Sequence, residues 1–216
     1  MTMAALSIVF TQVFQSVVSA YPVFIFAGLL PWSFFAQSTG TMAAEVIGSA
    51  DQWKRIYVPR TAFAFATVST SLVHLACALV PLALLMVAFD VEFSLALLAL
   101  PFVALCLAVF TLGVGLAVAS LSGRFADVFD LYQVALGTWM YLTPVIYPAS
   151  VVPGAFQWVI FLNPMTHFVE AFRLPVYEQT APPVSLLLTT AMLALAAGAL
   201  GWWLFTRAAD AIVRRA

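Results

Sequence analysis

Lys54 is the only lysine in the chain, and Trp53 stands immediately before it. A phosphate loop of the form G-x-x-x-x-G-K-[ST] needs a glycine at that preceding position, where the backbone must approach the phosphates closely. ATP is therefore not bound through such a loop. The G-x-G at Gly113 and Gly115 lies within an apolar run, without the preceding strand and third glycine of a dinucleotide fold. Close helix packing accounts for it better, with Gly113/Ala117 and Gly115/Ala119 as small-xxx-small pairs.

Other groups that could do chemistry are sparse. His74 stands alone in an apolar run, Glu45 lies at the end of another, and Asp127 and Asp130 flank a basic loop. Catalysis inside a membrane needs titratable groups converging at one depth, because each is expensive to hold there. His74 is accordingly expected to be a neutral histidine bonded to a neighbouring helix. His167, Glu170 and Arg173 share an i, i+3, i+6 spacing and are expected to form a local polar network rather than an acid/base pair. Cys77 and Cys106 sit in apolar runs with neither a disulfide framework nor a C-x-x-C pair, so both are read as packing residues. No metal or cofactor site is expected in this chain.

The elements that position these groups follow from composition. Of 216 residues, 64% are apolar and 8% charged, against about 45–50% and about 25% in a soluble domain. Eight basic and nine acidic residues cannot coat a water-facing surface, so lipid is the solvent for most of the chain and the class is integral membrane. A net charge of −1, with no cluster of Lys or Arg, argues against nucleic acid.

Long uncharged runs cover residues 1–15, 22–44, 61–89, 93–121, 131–147 and 184–205. The first is the weakest, carrying Thr2, Thr11, Gln12 and Gln15 and starting at Met1 without a basic flank. Seven of the eight basic residues fall between the second and third runs, between the fourth and fifth, or after the sixth. Those loops are assigned to the cytoplasm, which gives six crossings with both termini inside. Between residues 147 and 184 the chain is apolar but broken by Pro148, Pro153, Pro164, Pro175, Pro182 and Pro183, too often for any piece to cross. Gly154–Leu162 and Met165–Arg173 are expected as two short re-entrant or interfacial helices; the alternative is an aromatic-rich loop lying on the headgroups.

Five motifs follow one another on this background. F-A-G-L-L-P-W-S-F-F (26–35) precedes K-R-I-Y-V-P-R (54–60), S-G-R-F-A-D-V (122–128), Y-L-T-P-V-I-Y-P (141–148) and F-L-N-P-M (161–165), with Glu170 to Arg173 after the last. In this order and spacing they resemble the type-2 ABC transporter permeases, most closely those exporting polysaccharides such as O-antigen, capsule or teichoic acid. The resemblance runs from about Tyr21 to Phe205.

The resemblance implies one transmembrane permease domain over residues 1–216, all-α, with about six transmembrane helices and two short helices between the fifth and sixth. It implies a bacterial inner-membrane homodimer with a channel between the copies, moving a lipid-linked glycan. Two copies of a separate ABC ATPase subunit would supply the ATP and Mg site. The stretch from Gly48 to Arg60 would dock into that ATPase, through Asp51, Trp53, Lys54, Arg55, Tyr57 and Arg60; charge combined with aromatic anchors suits such an interface. Val151 to Tyr177 would form an external gate, with Trp158, Asn163, Pro164, His167, Glu170 and Arg173. Family members begin with a cytoplasmic amphipathic helix and a complete first crossing, whereas Met1 falls inside that crossing, so the first helix is expected to be shortened. The same fold could export a drug, lipid or other amphiphile; a membrane-embedded transferase or scaffold is the reading from a different class.

Phe125, Phe129, Tyr132 and Trp139 fall at offsets of 0, 4, 7 and 14, one helical face of the fifth crossing. Facing lipid, the stripe would be packing and an interfacial belt. Facing the channel, its rings would stack on sugar faces, which the resemblance favours.

Overall fold

The computed structural model describes residues 20–48, 60–123, 125 and 127–213, with the side chains of residues 46–48, 60 and 208–213 left out. The described residues are mostly helical, with no strand among them. Four long helices follow the apolar runs: α1 (Tyr21–Gly48), α2 (Arg60–Ala88), α3 (Leu100–Ser122) and, last in the chain, α7 (Val184–Val213). Each is long and apolar enough to cross a membrane. A one-and-a-half-turn 3₁₀ segment, Leu95–Ala99, leads into α3, and Ser94 caps it by accepting from the Ala96 N–H at 3.2 Å.

The fifth expected crossing is shorter than the others and lies earlier than its apolar run. Helix α4 is Asp127–Leu142, 16 residues, and not 131–147. Asp127 and Asp130 occupy its first turn, where carboxylates complement the unpaired N–H groups of a helix start. Its end falls just before Thr143-Pro144, since proline disfavours helical backbone in the residue before it. The first expected crossing, residues 1–15, lies outside the described residues, so the count of six is not established by the architecture.

Two short helices then appear where the proline-broken segment allows them. Helix α5 (Gln157–Leu162) follows a 3₁₀ turn, Gly154–Phe156, and α6 (Pro164–Arg173) begins on Pro164, whose missing N–H is no loss at a helix start. A π-helical turn, Leu174–Glu178, ends on Gln179 in the left-handed region at φ 56° and ψ 20°.

Helix α1 is the hub. It packs against α2, α3, α4 and α6 and is the most buried of the four long helices. The tightest pairing is α3 with α7. A Cβ on Gly113 would fall on the backbone of Ala197 and Gly198, and one on Gly201 would fall on the backbone of Gly113. The two backbones meet with no side chain between them, as expected of small residues at membrane helix interfaces. Gly115 gives the same room to Met42 of α1. The outer faces of α2 and α7 expose Val80, Leu84, Met192 and Leu195, a surface that suits hydrocarbon rather than water.

Candidate functional site

The proline-broken segment is bound to the helices by two polar anchors. Asn163 is the first. Its Oδ1 caps α6 by accepting from the Met165 N–H at 3.1 Å and also accepts from Trp139 Nε1 of α4 at 2.8 Å. Its Nδ2 donates to Thr143 Oγ1 at 2.8 Å and to the Leu142 carbonyl at 3.4 Å. One buried amide therefore joins the end of α4, the loop after it and the start of α6.

Arg173 is the second anchor, at the other end of α6. It is 8% exposed, with Nη2 donating to the Val145 carbonyl at 2.8 Å and Cζ lying 3.8 Å from the centroid of the Phe24 ring. Phe24 is boxed in by Tyr21, 6.2 Å away and stacked, and by Tyr177, 5.3 Å away and edge-on. Tyr21 completes the knot by donating its hydroxyl to the Ile146 carbonyl at 2.9 Å. Gly28 is glycine because a Cβ there would collide with Arg173 Nη2. Burial pulls the Arg173 pKa down to about 10, against the upward pull of the Glu178 and Glu170 carboxylates. The side chain thus stays charged at neutral pH, and the ring face and carbonyl replace part of its water.

The expected network of His167, Glu170 and Arg173 is laid out differently. His167 Nε2 donates to the Phe161 carbonyl at 3.0 Å, bracing α5 against α6, while the guanidinium of Arg173 turns to α1. Glu170 is exposed, as is Trp158; Pro164 is half-buried at the start of α6. Of the six gate residues, Asn163 and Arg173 are buried anchors and the other four lie nearer the surface.

The aromatic stripe of α4 splits in two. Phe125 is exposed before the helix begins, and Phe129 is half-buried. Tyr132 and Trp139 turn inward onto α1. The Tyr132 hydroxyl donates to Thr39 Oγ1 at 2.6 Å, and Thr39 in turn donates to the Phe35 carbonyl at 2.8 Å. Trp139 packs edge-on against Trp32 and Phe35 at 6.2 and 5.2 Å. From Phe35 the rings continue through Phe110 to Phe168 of α6, at 5.6 and 4.9 Å.

With those rings turned in, other side chains take the open side of the α1–α4 seam. A groove of about 640 Å³ runs along it, bordered by Trp32, Gln37, Thr41, Phe129, Gln133 and Gly137. Gln37, Thr41 and Gln133 are exposed there. These uncharged polar groups escape a search for titratable clusters; the available signal was an amide standing inside an otherwise apolar run. His74 is exposed as well, without a hydrogen-bond partner among the described residues, beside a smaller cavity of about 230 Å³ that it shares with Ser33, Gln37 and Ser71. The bond to a neighbouring helix expected of it is not made among the described residues. Cys106 is buried, as expected of a packing residue, whereas Cys77 is exposed. Thr67 Oγ1 donates to Glu45 Oε2 at 2.9 Å, tying α2 to α1 near their shared end.

The expected ATPase-docking residues Asp51, Trp53, Lys54, Arg55 and Tyr57 lie outside the described residues, as does the side chain of Arg60. Among the described residues, no group of three or more His, Cys, Asp or Glu side chains is placed to hold a metal ion.

Comparison with known proteins places this arrangement. Residues 1–177 match the family model described as ABC-2 type transporter. Two O-antigen export system permease proteins RfbA of Klebsiella pneumoniae are each 25% identical over 166 residues, covering 76% of this chain and 64% of theirs. An O-antigen export system permease protein RfbA of Myxococcus xanthus is 27% identical over 186 residues, covering 85% of this chain and 72% of its own. The chain thus spans a little under two thirds of the length of the Klebsiella relatives.

Proposed function

The chain belongs to the ABC-2 type transporter family, and on that premise we propose that it is the membrane permease subunit of an ATP-driven exporter of a lipid-linked polysaccharide. The family match over residues 1–177 carries the reading. The cargo follows the relatives, which are named as O-antigen export permeases. In this reading two copies enclose a channel in the bacterial inner membrane, with both termini cytoplasmic. Two copies of a separate ABC ATPase subunit hydrolyse ATP, with its Mg, and drive it. Gly48 to Arg60 docks on that subunit, and the segment from Val151 to Tyr177 stands on the external side.

Three features support the scheme. Lys54 follows Trp53 and not glycine, so these 216 residues hold no phosphate loop of that form, which suits a separate ATPase subunit. Helices α5 and α6 are 6 and 10 residues long, far below the roughly 20 needed to cross, and Trp158, Phe161 and Leu162 expose apolar surface of the kind that suits a lipid boundary. That suits two re-entrant or interfacial helices between the last two crossings, of which α4 would be the fifth and α7 the sixth. Polar groove residues beside apolar outer faces suit a helix bundle with one wet side.

The test is reconstitution. Complexes of this chain with a separate nucleotide-binding subunit should hydrolyse ATP and restore surface glycan to a host deleted for its own export permease. Hydrolysis by the purified chain alone, or a complex that assembles and never restores glycan, would overturn the proposal.

A further inference from the structure

We propose that the α1–α4 groove is the sugar track of this permease and that its contact groups are the side-chain amides of Gln37 and Gln133 with the hydroxyl of Thr41, rather than the rings of Tyr132 and Trp139. The inference rests on the exporter reading and adds the residues that touch the cargo.

Four observations carry it. The hydroxyl of Tyr132 and the indole N–H of Trp139 are already committed to Thr39 and Asn163, at 2.6 and 2.8 Å. Neither donor is free for a sugar. Gln37, Thr41 and Gln133 are exposed along one groove at mid-helix, and an amide facing hydrocarbon leaves donors and acceptors unpaired at a high cost. That face must therefore meet water or a hydrogen-bonding partner. An amide offers two donors and an acceptor with no charge, which suits a neutral, hydroxyl-dense chain that has to keep moving.

The groove is open along its length and, on the exporter reading, a two-fold mate set against this face would bring groove to groove and leave a lumen between the copies. Its two glycines take opposite roles. A Cβ on Gly40 would come within 3.0 Å of Gln133 Nε2, so Gly40 lets that amide lie across α1. A Cβ on Gly137 would meet nothing within 4 Å, so Gly137 keeps the groove clear. Trp32 and Phe129 border it with ring surface. Gln37 also lines the cavity that holds Ser33, Ser71 and His74, which carries the polar band on to α2.

Gly137 supplies a probe that fills the track without disturbing the protein around it. The parent and its variants, each paired with the ATPase subunit, are expressed in the permease-deleted host and scored for surface glycan and for recovered complex. Gly137→Leu should lower export at least tenfold at unchanged complex yield, with Gly137→Ala falling between it and the parent. Gln37→Leu with Gln133→Leu, which keeps the bulk and removes the amides, should also lower export tenfold or more. In a Cys77→Ala background, Gly137→Cys should react with a charged, water-soluble maleimide, and the adduct should stop export.

Export by Gly137→Leu equal to that of the parent overturns the proposal. So does labelling of Gly137→Cys only by an apolar maleimide, which would put the groove against lipid. Disulfide-linked dimers of Gly137→Cys, with dissociation of the Gly137→Leu dimer, would make the groove a seam between copies and overturn it equally. A parent complex that exports no glycan fails the exporter reading itself, a result distinct from all three.

Discussion

The guanidinium of Arg173 lies over the ring of Phe24, with Cζ 3.8 Å from the centroid, although 149 positions separate the two in the chain. This contact ties the last turn of α6 to the first turn of α1. Desolvated cation–π pairs contribute about 2 kcal/mol. Phe24→Leu should therefore lower stability in detergent by about 2 kcal/mol, and Arg173→Lys by a similar amount, since an ammonium lacks the planar face. A double-mutant cycle should return a coupling of about 1 kcal/mol. Additive single effects would show that the two groups are merely adjacent.

Asn163 serves as helix cap, acceptor and donor at once, so its variants should separate these roles. Asn163→Ala loses the cap, roughly 1 kcal/mol, and strands Trp139 Nε1 and Thr143, for about 2–4 kcal/mol in all. Asn163→Asp keeps the acceptor for Trp139 and Met165 while losing both donors, and should fall between parent and alanine. Unfolding monitored by tryptophan fluorescence measures both.

The glycine pair between α3 and α7 should be intolerant of any side chain. Gly113→Ala and Gly201→Ala each force two backbones apart and should destabilise by about 2 kcal/mol or more. Gly154→Ala is the control, because a Cβ there meets nothing within 4 Å, and it should be neutral. Thermal aggregation curves of the three purified variants check the ordering.

Tyr132→Phe removes only the hydroxyl bound to Thr39. It should reduce stability by about 1 kcal/mol and leave glycan export unchanged once expression is normalised. Export loss at normal stability would return Tyr132 to the channel wall.

Reversing the charge of Lys54 and Arg55 together with Trp53→Ala should abolish co-purification with the ATPase subunit while leaving insertion intact. In the proposed topology Arg60 and the C-terminal arginines still supply the positive-inside bias. Retained co-purification would relocate the docking surface.

The long helices were legible because crossing a bilayer demands sustained apolarity, a property carried by each run alone. The starts of α1, α2 and α7 accordingly fall within a residue of the expected 22, 61 and 184. Helix α4 shows where that logic stops, since its length is decided by acidic groups at one end and a Thr-Pro step at the other, not by apolar extent. Side-chain direction was less legible still. The stripe through Tyr132 and Trp139 is a true helical face, yet what it faces depends on Thr39 and Asn163, 93 residues before and 24 after. Arg173 read as part of a local polar set because spacing along α6 says nothing of Phe24 and Val145. The groove amides showed only as single polar residues inside apolar runs, with no spacing to link Gln37 to Gln133.

The backbone contact of Gly113 and Gly201 has a mechanical consequence. At Gly113 and Gly201 the two backbones meet with no side chain between them, so α3 cannot slide past α7 there without a clash. The pair forms a single stiff strut. On the exporter reading, strain delivered to this subunit by its ATPase would pass along that strut, and deformation would concentrate in the joints held by single side chains: Tyr132 on Thr39, Asn163 on Trp139, Arg173 on Phe24.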